Sequence, residues 1–255
     1  MLRLIGKTQD ISSAINDFKL SYHQDFTSVR AEAKRYLAPP PNLEHAAALA
    51  DCLGHALINW GAGSRKAPAL RTREEIAVKL AGSELHRRLS TLNTCGINAF
   101  GLDLNRLRAF TPTSPFNCFY AFDKELLGIL NTLADGLFVN NTNVTYPMKA
   151  LLLITGLMPA LDSQVRKGLK RAGMVGVAGT RLVLPPDTSK ALGQRICSLP
   201  FSLGHCWQSN QEQLQEGIRS SDHPSLCDEP GRVFDVLFFM QQEERRAPIL
   251  MFDHS

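Results

Sequence analysis

Apolar residues recur at helical spacing along most of this chain, and that periodicity limits its fold more than any other feature. Between Asn42 and Trp60, leucines and alanines stand three or four positions apart, which places them on one stripe of a helix. Thr72 and Glu75 form the T-x-x-E capping box of a second helix, which we expect to end near Leu89. The strict alternation of apolar and polar residues that is typical of half-buried strands is scarce. The pattern therefore predicts a mainly α protein of short helices joined by polar loops.

Local start and stop signals predict the remaining elements. Gly136, Gly156 and Gly173 each follow an apolar helical pattern, at the position where glycine commonly ends a helix. We predict six more helices, at about 123–136, 147–156, 163–173, 188–198, 207–219 and 232–245. Two segments have strand character, a hairpin over 174–185 and a terminal strand over 247–252.

The 255 residues are 44% hydrophobic, which is enough for one large core or two smaller ones. We expect a single compact helical domain of two lobes, with a sub-boundary near 185–188, where the sequence is PPDT. The apolar run over 148–161 is interrupted by Lys149 and Pro159, so we expect no contact with membranes. The N-terminus lacks the apolar stretch of a secretion signal, and the six cysteines form no C-x-x-C pair. We therefore expect a soluble cytoplasmic protein with reduced thiols, acting as a monomer.

A strongly basic helix follows this apolar run. Its charges fall at i, i+1, i+4 and i+5 and so share one broad face: Arg166, Lys167, Lys170 and Arg171. Such a face suits a phosphodiester backbone, and an ordinary solvated helix surface is the alternative. The net charge of +4 permits a nucleic-acid partner without requiring one. Asp162 precedes the helix, and we expect it to cap the helix in its ionised form by accepting backbone N–H groups.

A second basic segment, WGAGSRKAP over 60–68, contains Arg65 and Lys66. It lacks the third glycine and the GK[ST] ending of the nucleotide-binding fingerprints, so we interpret it as a helix end followed by a loop. The alternative is a second contact with a DNA backbone through these two side chains.

The segment PALDSQVR over 159–166 resembles one found in the helix-hairpin-helix DNA glycosylases (HhH-GPD-like), which carry P-x-x-D-[ST]-x-V-x-R followed by a basic or polar helix. The resemblance implies a two-lobed helical glycosylase fold, with a helix-hairpin-helix-like element at about 124–173. It also implies that Asp162 is the catalytic carboxylate, placed at a helix start to face the sugar of a flipped nucleotide. Lys149 resembles the lysine that bifunctional members use as an amine nucleophile.

The chain departs from that family in three ways. The hairpin position, NVTYPMK over 143–149, contains no glycine. Asp162 follows Lys149 by 13 residues, which is fewer than in typical members. The cysteine spacing of members with an iron–sulfur cluster is absent. We therefore expect a divergent, monofunctional enzyme that uses no cofactor and no metal.

The expected reaction is cleavage of the N-glycosidic bond of a damaged or modified base, flipped out of double-stranded DNA, to leave an abasic site. Asp162 would stabilise the oxocarbenium-like sugar and orient a water molecule. The base-pocket candidates are Tyr146, Asn141 and Asn143, which lie in the polar loop that enters the lysine-bearing helix; turn formation is the alternative role of the asparagines. One candidate substrate is a hypermodified cytosine of phage DNA, such as glucosylated hydroxymethylcytosine, which would make the protein an antiviral defence enzyme.

Two other functions compete with this hypothesis. A non-enzymatic DNA-binding protein could use the same basic helix. A metal-dependent nuclease could use the histidines and cysteines between 197 and 227, which are Cys197, His205, Cys206, His223 and Cys227. Their spacing matches no standard zinc pattern, so we expect buried thiols and surface histidines there.

Overall fold

The computed structural model describes residues 1–64, 67–177 and 182–253, and over these residues the protein is mainly α-helical, as predicted. Within this part of the chain, no helix is both long and apolar enough to cross a membrane. The α-helices, in chain order, are α1 (Thr8–Asp17), α2 (Leu20–Leu37), α3 (Leu43–Asn59), α4 (Arg73–Leu80), α5 (Ser83–Cys95), α6 (Phe119–Leu137), α7 (Thr145–Thr155), α8 (Ser163–Arg171), α9 (Ala191–Ser209), α10 (Gln211–Arg219) and α11 (Pro230–Gln241).

Within the described residues, four short strands form two antiparallel pairs. They are β1 (Leu2–Leu4), β2 (Phe100–Leu102), β3 (Arg108–Phe110) and β4 (Leu250–Phe252). β4 confirms the predicted terminal strand, and its pairing with β1 ties together the two ends of the described chain. β2 and β3 form a hairpin that the sequence pattern did not predict. Of the hairpin predicted over 174–185, residues 178–181 lie outside the described residues, and Val183 forms a single bridge with Asn143.

The helix predicted from Thr72 to about Leu89 is wrong as one element, because the chain forms two helices, α4 and α5. Thr72 and Glu75 make the predicted capping box at the start of α4. At the end of α4, the buried hydroxyl of Tyr36 donates a 2.7 Å hydrogen bond to the carbonyl of Leu80. In a continuous helix, this carbonyl would accept a backbone N–H from the next turn. Here it accepts the hydroxyl of a side chain from α2 instead.

Further elements differ from the prediction, and α9 is one of them, since it runs from Ala191 to Ser209 instead of ending near residue 198. α6 begins at Phe119 instead of near Asp123, because the Asp123 carboxylate does not cap the helix; it receives a 2.6 Å hydrogen bond from the Arg108 guanidinium. The amino-terminal helices α1 and α2 were not predicted at all.

α7 lies in the interior, where it packs against α2, α3, α5 and α6. All residues from Pro147 to Thr155 are buried, which explains why its sequence is apolar around the whole helix instead of along one stripe. Apart from Ala134, the buried apolar residues of the described chain form one continuous cluster, which extends from Leu2 to Leu250. Lys149 is the only charged residue of α7, so the fold places a lysine inside this cluster.

α8 rests closely on α11, and glycine makes that approach possible. A Cβ atom at Gly168 would stand 1.8 Å from the carbonyl oxygen of Phe238, far inside van der Waals contact. Beside this point, the side-chain amide of Gln241 donates to the Gly168 carbonyl at 3.0 Å. Arg171 strengthens the contact, since its guanidinium donates to the backbone carbonyls of Gln241 at 2.8 Å and Arg246 at 2.5 Å. α8 is thereby fixed in position with its amino-terminal end facing α7.

We expect the Gly168→Ala substitution to destabilise the protein by about 2 kcal/mol or more, because the added methyl group must push α8 away from the α11 backbone. Urea unfolding followed by circular dichroism measures the effect. The matched control is Gly54→Ala in α3, where the added Cβ has no neighbour within 4 Å. Helix propensity there favours alanine by about 0.5–1 kcal/mol. Equal effects of the two substitutions would contradict this account of the helix contact.

Candidate active site

The structure brings Lys149 and Asp162 together. The Lys149 Nζ atom lies 3.8 Å from the Asp162 Oδ2 atom. The chain reverses at Gly156, whose φ of +65° is in the left-handed region that ends α7, and the buried segment 157–161 then leads to the start of α8. An interval of 13 residues is therefore long enough to bring the amine and the carboxylate into contact.

Asp162 divides its two carboxylate oxygens between two roles. Its Oδ1 accepts the backbone N–H groups of Gln164 at 3.0 Å and Val165 at 2.9 Å, which is the predicted N-cap of α8. Its Oδ2 faces the amine of Lys149. Capping therefore fixes the rotamer of the side chain without using the oxygen that points into the site.

Lys149 is only 7% exposed and has few polar neighbours. Its amine donates to the Trp60 carbonyl at 2.6 Å and lies 5.1 Å above the centre of the Tyr146 ring. Burial lowers the pKa of Lys149 below that of a surface lysine, and the negative charges of Asp162 and Asp235 oppose part of this shift. More of the amine is therefore uncharged near neutral pH, and an uncharged amine is the nucleophilic form.

The predicted base-pocket residues have mostly structural contacts. The Asn141 and Asn143 side chains each accept a backbone N–H two residues ahead, at 2.9 and 2.8 Å, which is ordinary turn chemistry. Asn140 has a φ of +52°, so this loop makes its left-handed turn without glycine. Tyr146 is half-buried, and its hydroxyl donates to the Gly61 carbonyl at 2.9 Å. Of the three candidates, only Tyr146 touches the Lys149–Asp162 pair directly.

Sequence patterns missed two charged residues beside the site. Arg232 and Asp235 lie on α11, both are almost completely buried, and their side chains meet at 2.5 Å. The other Asp235 oxygen accepts the backbone N–H of Ala160 at 3.1 Å, two residues before Asp162. Burial raises the pKa of Asp235 above that of an exposed aspartate. The available signal was the presence of two opposite charges three residues apart in the apolar sequence PGRVFDVLFF.

The four basic residues of α8 do not form one uniform surface. Lys167 and Lys170 are exposed, whereas Arg166 is partly buried and its Nε donates to the Asp162 carbonyl at 3.2 Å. The guanidinium of Arg171 is bonded to the end of α11, so it has a structural role that its charge alone did not indicate. Arg65 and Lys66 lie outside the described residues.

The histidines and cysteines between 197 and 227 do not converge. In the ranges that the structure describes, no three histidine, cysteine or acidic side chains come together in a way that could hold a metal ion. Cys197 and Cys206 are buried on α9, and burial raises the pKa of both thiols. Both are therefore thiols in the core, as expected for this segment.

The two roles of Asp162 can be separated by substitution. We expect Asp162→Ala to be less stable than Asp162→Asn by about 1 kcal/mol, because asparagine caps a helix about as well as aspartate and alanine does not. Both variants lose the charge opposite Lys149, so their difference in the free energy of unfolding isolates the cap. Chemical denaturation of the two proteins provides the measurement, and equal stabilities would show that the cap contributes nothing.

Comparison with known proteins did not identify relatives: no protein-family model, no curated protein and no solved structure matches this chain.

Proposed function

We propose that this protein is a DNA glycosylase that cleaves the N-glycosidic bond of a flipped base, with Asp162 and Lys149 as its reacting groups. The observation that carries the proposal is the 3.8 Å contact between a buried lysine amine and a carboxylate fixed at a helix start. The resemblance of the segment 159–166 to the helix-hairpin-helix glycosylases supports the same function. Burial lowers the pKa of the Lys149 amine, and a lowered pKa suits a nucleophile.

Asp162 acts as the electrostatic partner of the sugar. As the base departs with the bonding electrons, positive charge develops at C1′ and the ring oxygen. The Oδ2 atom of Asp162, which faces the Lys149 amine, stabilises that charge, while the hydrogen bonds to Oδ1 hold the carboxylate in place. The capped geometry exists before the substrate binds, so little reorganisation is required during the reaction.

The sequence predicts a monofunctional enzyme, which only releases the base. With Lys149 as a nucleophile, the protein could also cut the DNA strand. Its uncharged amine can attack C1′ by either of two routes. If it displaces the base directly, breaking of the C1′–O4′ bond of the resulting amino sugar, with a proton delivered to O4′, gives a Schiff base. If water displaces the base first, the sugar opens to the aldehyde, and addition of the amine followed by loss of water gives the same Schiff base. Loss of a proton from C2′ with departure of the 3′ phosphate then nicks the strand. We therefore propose that the protein has both glycosylase and lyase activity.

The exposed amines of Lys167 and Lys170 provide the DNA contact. They lie on α8, the helix that Asp162 caps, so a phosphate backbone along this face would bring a flipped nucleotide to the site. A damaged or modified base is the proposed target, and glucosylated hydroxymethylcytosine belongs in the test panel. We place the activity in the cytoplasm.

The activity test uses double-stranded oligonucleotides that carry one damaged or modified base each. We expect the wild-type protein to release a free base in the presence of a chelator, and to be trapped on abasic DNA by borohydride. Asp162→Asn should slow base release by at least 100-fold, and Lys149→Gln should abolish trapping. The matched controls are Asp187→Asn, which alters an exposed turn carboxylate, and Lys79→Gln, which alters an exposed lysine of α4.

Three outcomes would count against the proposal. Full activity in Asp162→Asn would exclude the mechanism. Binding of every DNA without release of any base would favour a non-enzymatic DNA-binding protein. Loss of activity in chelator alone would favour a metal-dependent reaction.

The role of α8 in DNA binding is tested by the double substitution Lys167→Gln with Lys170→Gln. A plot of log affinity against log salt concentration has a negative slope. Each lost phosphate contact should reduce the magnitude of that slope by about 0.9. Fluorescence anisotropy over a salt series measures the slope. Lys79→Gln with Lys124→Gln removes two exposed helical lysines elsewhere and should leave the slope unchanged if α8 is the contact surface.

A further inference from the structure

α11 contains a buried ion pair that stability alone does not explain. Arg232 and Asp235 are 1% and 4% exposed, and their charged atoms are 2.5 Å apart. Removing two charges from water is unfavourable, and apolar residues of similar size often replace such a pair without loss of stability. The pair is therefore expected to do something that apolar side chains could not do.

One half of the pair holds the segment that carries Asp162. The Asp235 Oδ1 atom accepts the N–H of Ala160 at 3.1 Å. The start of α11 touches the same segment, since a Cβ atom at Gly231 would stand 2.2 Å from the Gly156 carbonyl oxygen. α11 thus contacts both the beginning and the end of the chain reversal between α7 and Asp162.

The other half of the pair holds the residue that binds Lys149. The Arg232 guanidinium lies 5.0 Å from the centre of the Trp60 ring, and it is also enclosed by the rings of Phe18 and Phe26. One of its nitrogens donates to the Tyr22 carbonyl at 3.1 Å. The Trp60 carbonyl in turn accepts the amine of Lys149 at 2.6 Å. Asp235 therefore contacts the segment that carries Asp162, and Arg232 contacts the residue whose carbonyl binds Lys149.

We infer that Arg232 and Asp235 are positioning residues that set the distance and the charge balance between Lys149 and Asp162. The inference rests on the proposed function for its catalytic consequence. Asp235 fixes the Asp162 segment through Ala160, and Arg232 fixes the Lys149 amine through Trp60. Neither side chain needs to touch the substrate.

Charges around the site support this role. The charges of Asp162, at the N-cap of α8, and of Asp235, on α11, both act on Lys149, and Tyr146 lies beside it on α7. Arg232 balances Asp235, and Arg166 lies beside Asp162. Because the charge of Asp235 favours the protonated amine, its removal should lower the pKa of Lys149 further. A residue with only a packing role would leave that titration unchanged.

The test compares Asp235→Asn with the double variant Arg232→Met and Asp235→Asn. The titration of Lys149 is followed by NMR of protein labelled at lysine Cε, with Lys149→Arg used to assign the signal. We expect the titration midpoint to fall in both variants, and the borohydride-trapping profile on abasic DNA to move to lower pH. Base release at saturating DNA should slow on the order of 10- to 100-fold, as expected for displaced reacting groups.

The double variant separates positioning from folding, because it removes the unpaired buried cation that Asp235→Asn leaves behind. Its thermal stability should exceed that of Asp235→Asn, while base release stays slow. Asp123→Asn is the matched control, since it neutralises another buried aspartate that pairs with an arginine, and it should leave the Lys149 titration unchanged.

Two results would overturn the inference: an unchanged Lys149 titration in both variants, or a return to the wild-type rate in the double variant. The absence of base release by the wild-type protein on every DNA would instead contradict the proposed function. The NMR titration needs no DNA, so it still decides whether Asp235 controls the charge of Lys149.

Discussion

The burial of one lysine in the most apolar helix of the protein is the constraint on which the rest of the site depends. Lys149 lies on α7, whose other buried residues offer its amine no charged partner within the helix. The partners come from three other parts of the chain: the Trp60 carbonyl, the Asp162 carboxylate and the charge of Asp235. A buried amine needs such partners, so α3, α8 and α11 must all be in place for α7 to remain in the core.

Placement of Asp162 depends on how α8 sits on α11. The glycine contact at Gly168 and the bonds from Arg171 to the end of α11 hold the helix at a fixed position. The N-cap then aims one carboxylate oxygen at the amine. Capping and the proposed chemistry are therefore compatible, because they use different oxygens of one rigid side chain.

Local chemistry accounts for what could be predicted. The sequence indicated most helices, the capping box at Thr72, the cap at Asp162 and the terminal strand, since each depends on residues within a few positions. Two of its errors arose where a side chain distant in sequence formed the decisive contact. Tyr36 ends α4 at Leu80, and Arg108 takes the carboxylate of Asp123 away from a capping role.

For the candidate site, the sequence by itself determined the types of residue and the cap that orients Asp162, because a helix start is a local structure. Only the tertiary structure decided that Lys149 lies against Asp162 and that Arg232 and Asp235 connect to both. It also assigned Arg171 to the end of α11 and the loop asparagines to turns. The physical reason is that burial and ion pairing depend on which helices pack together, and the spacing of residues along one helix does not specify its neighbours.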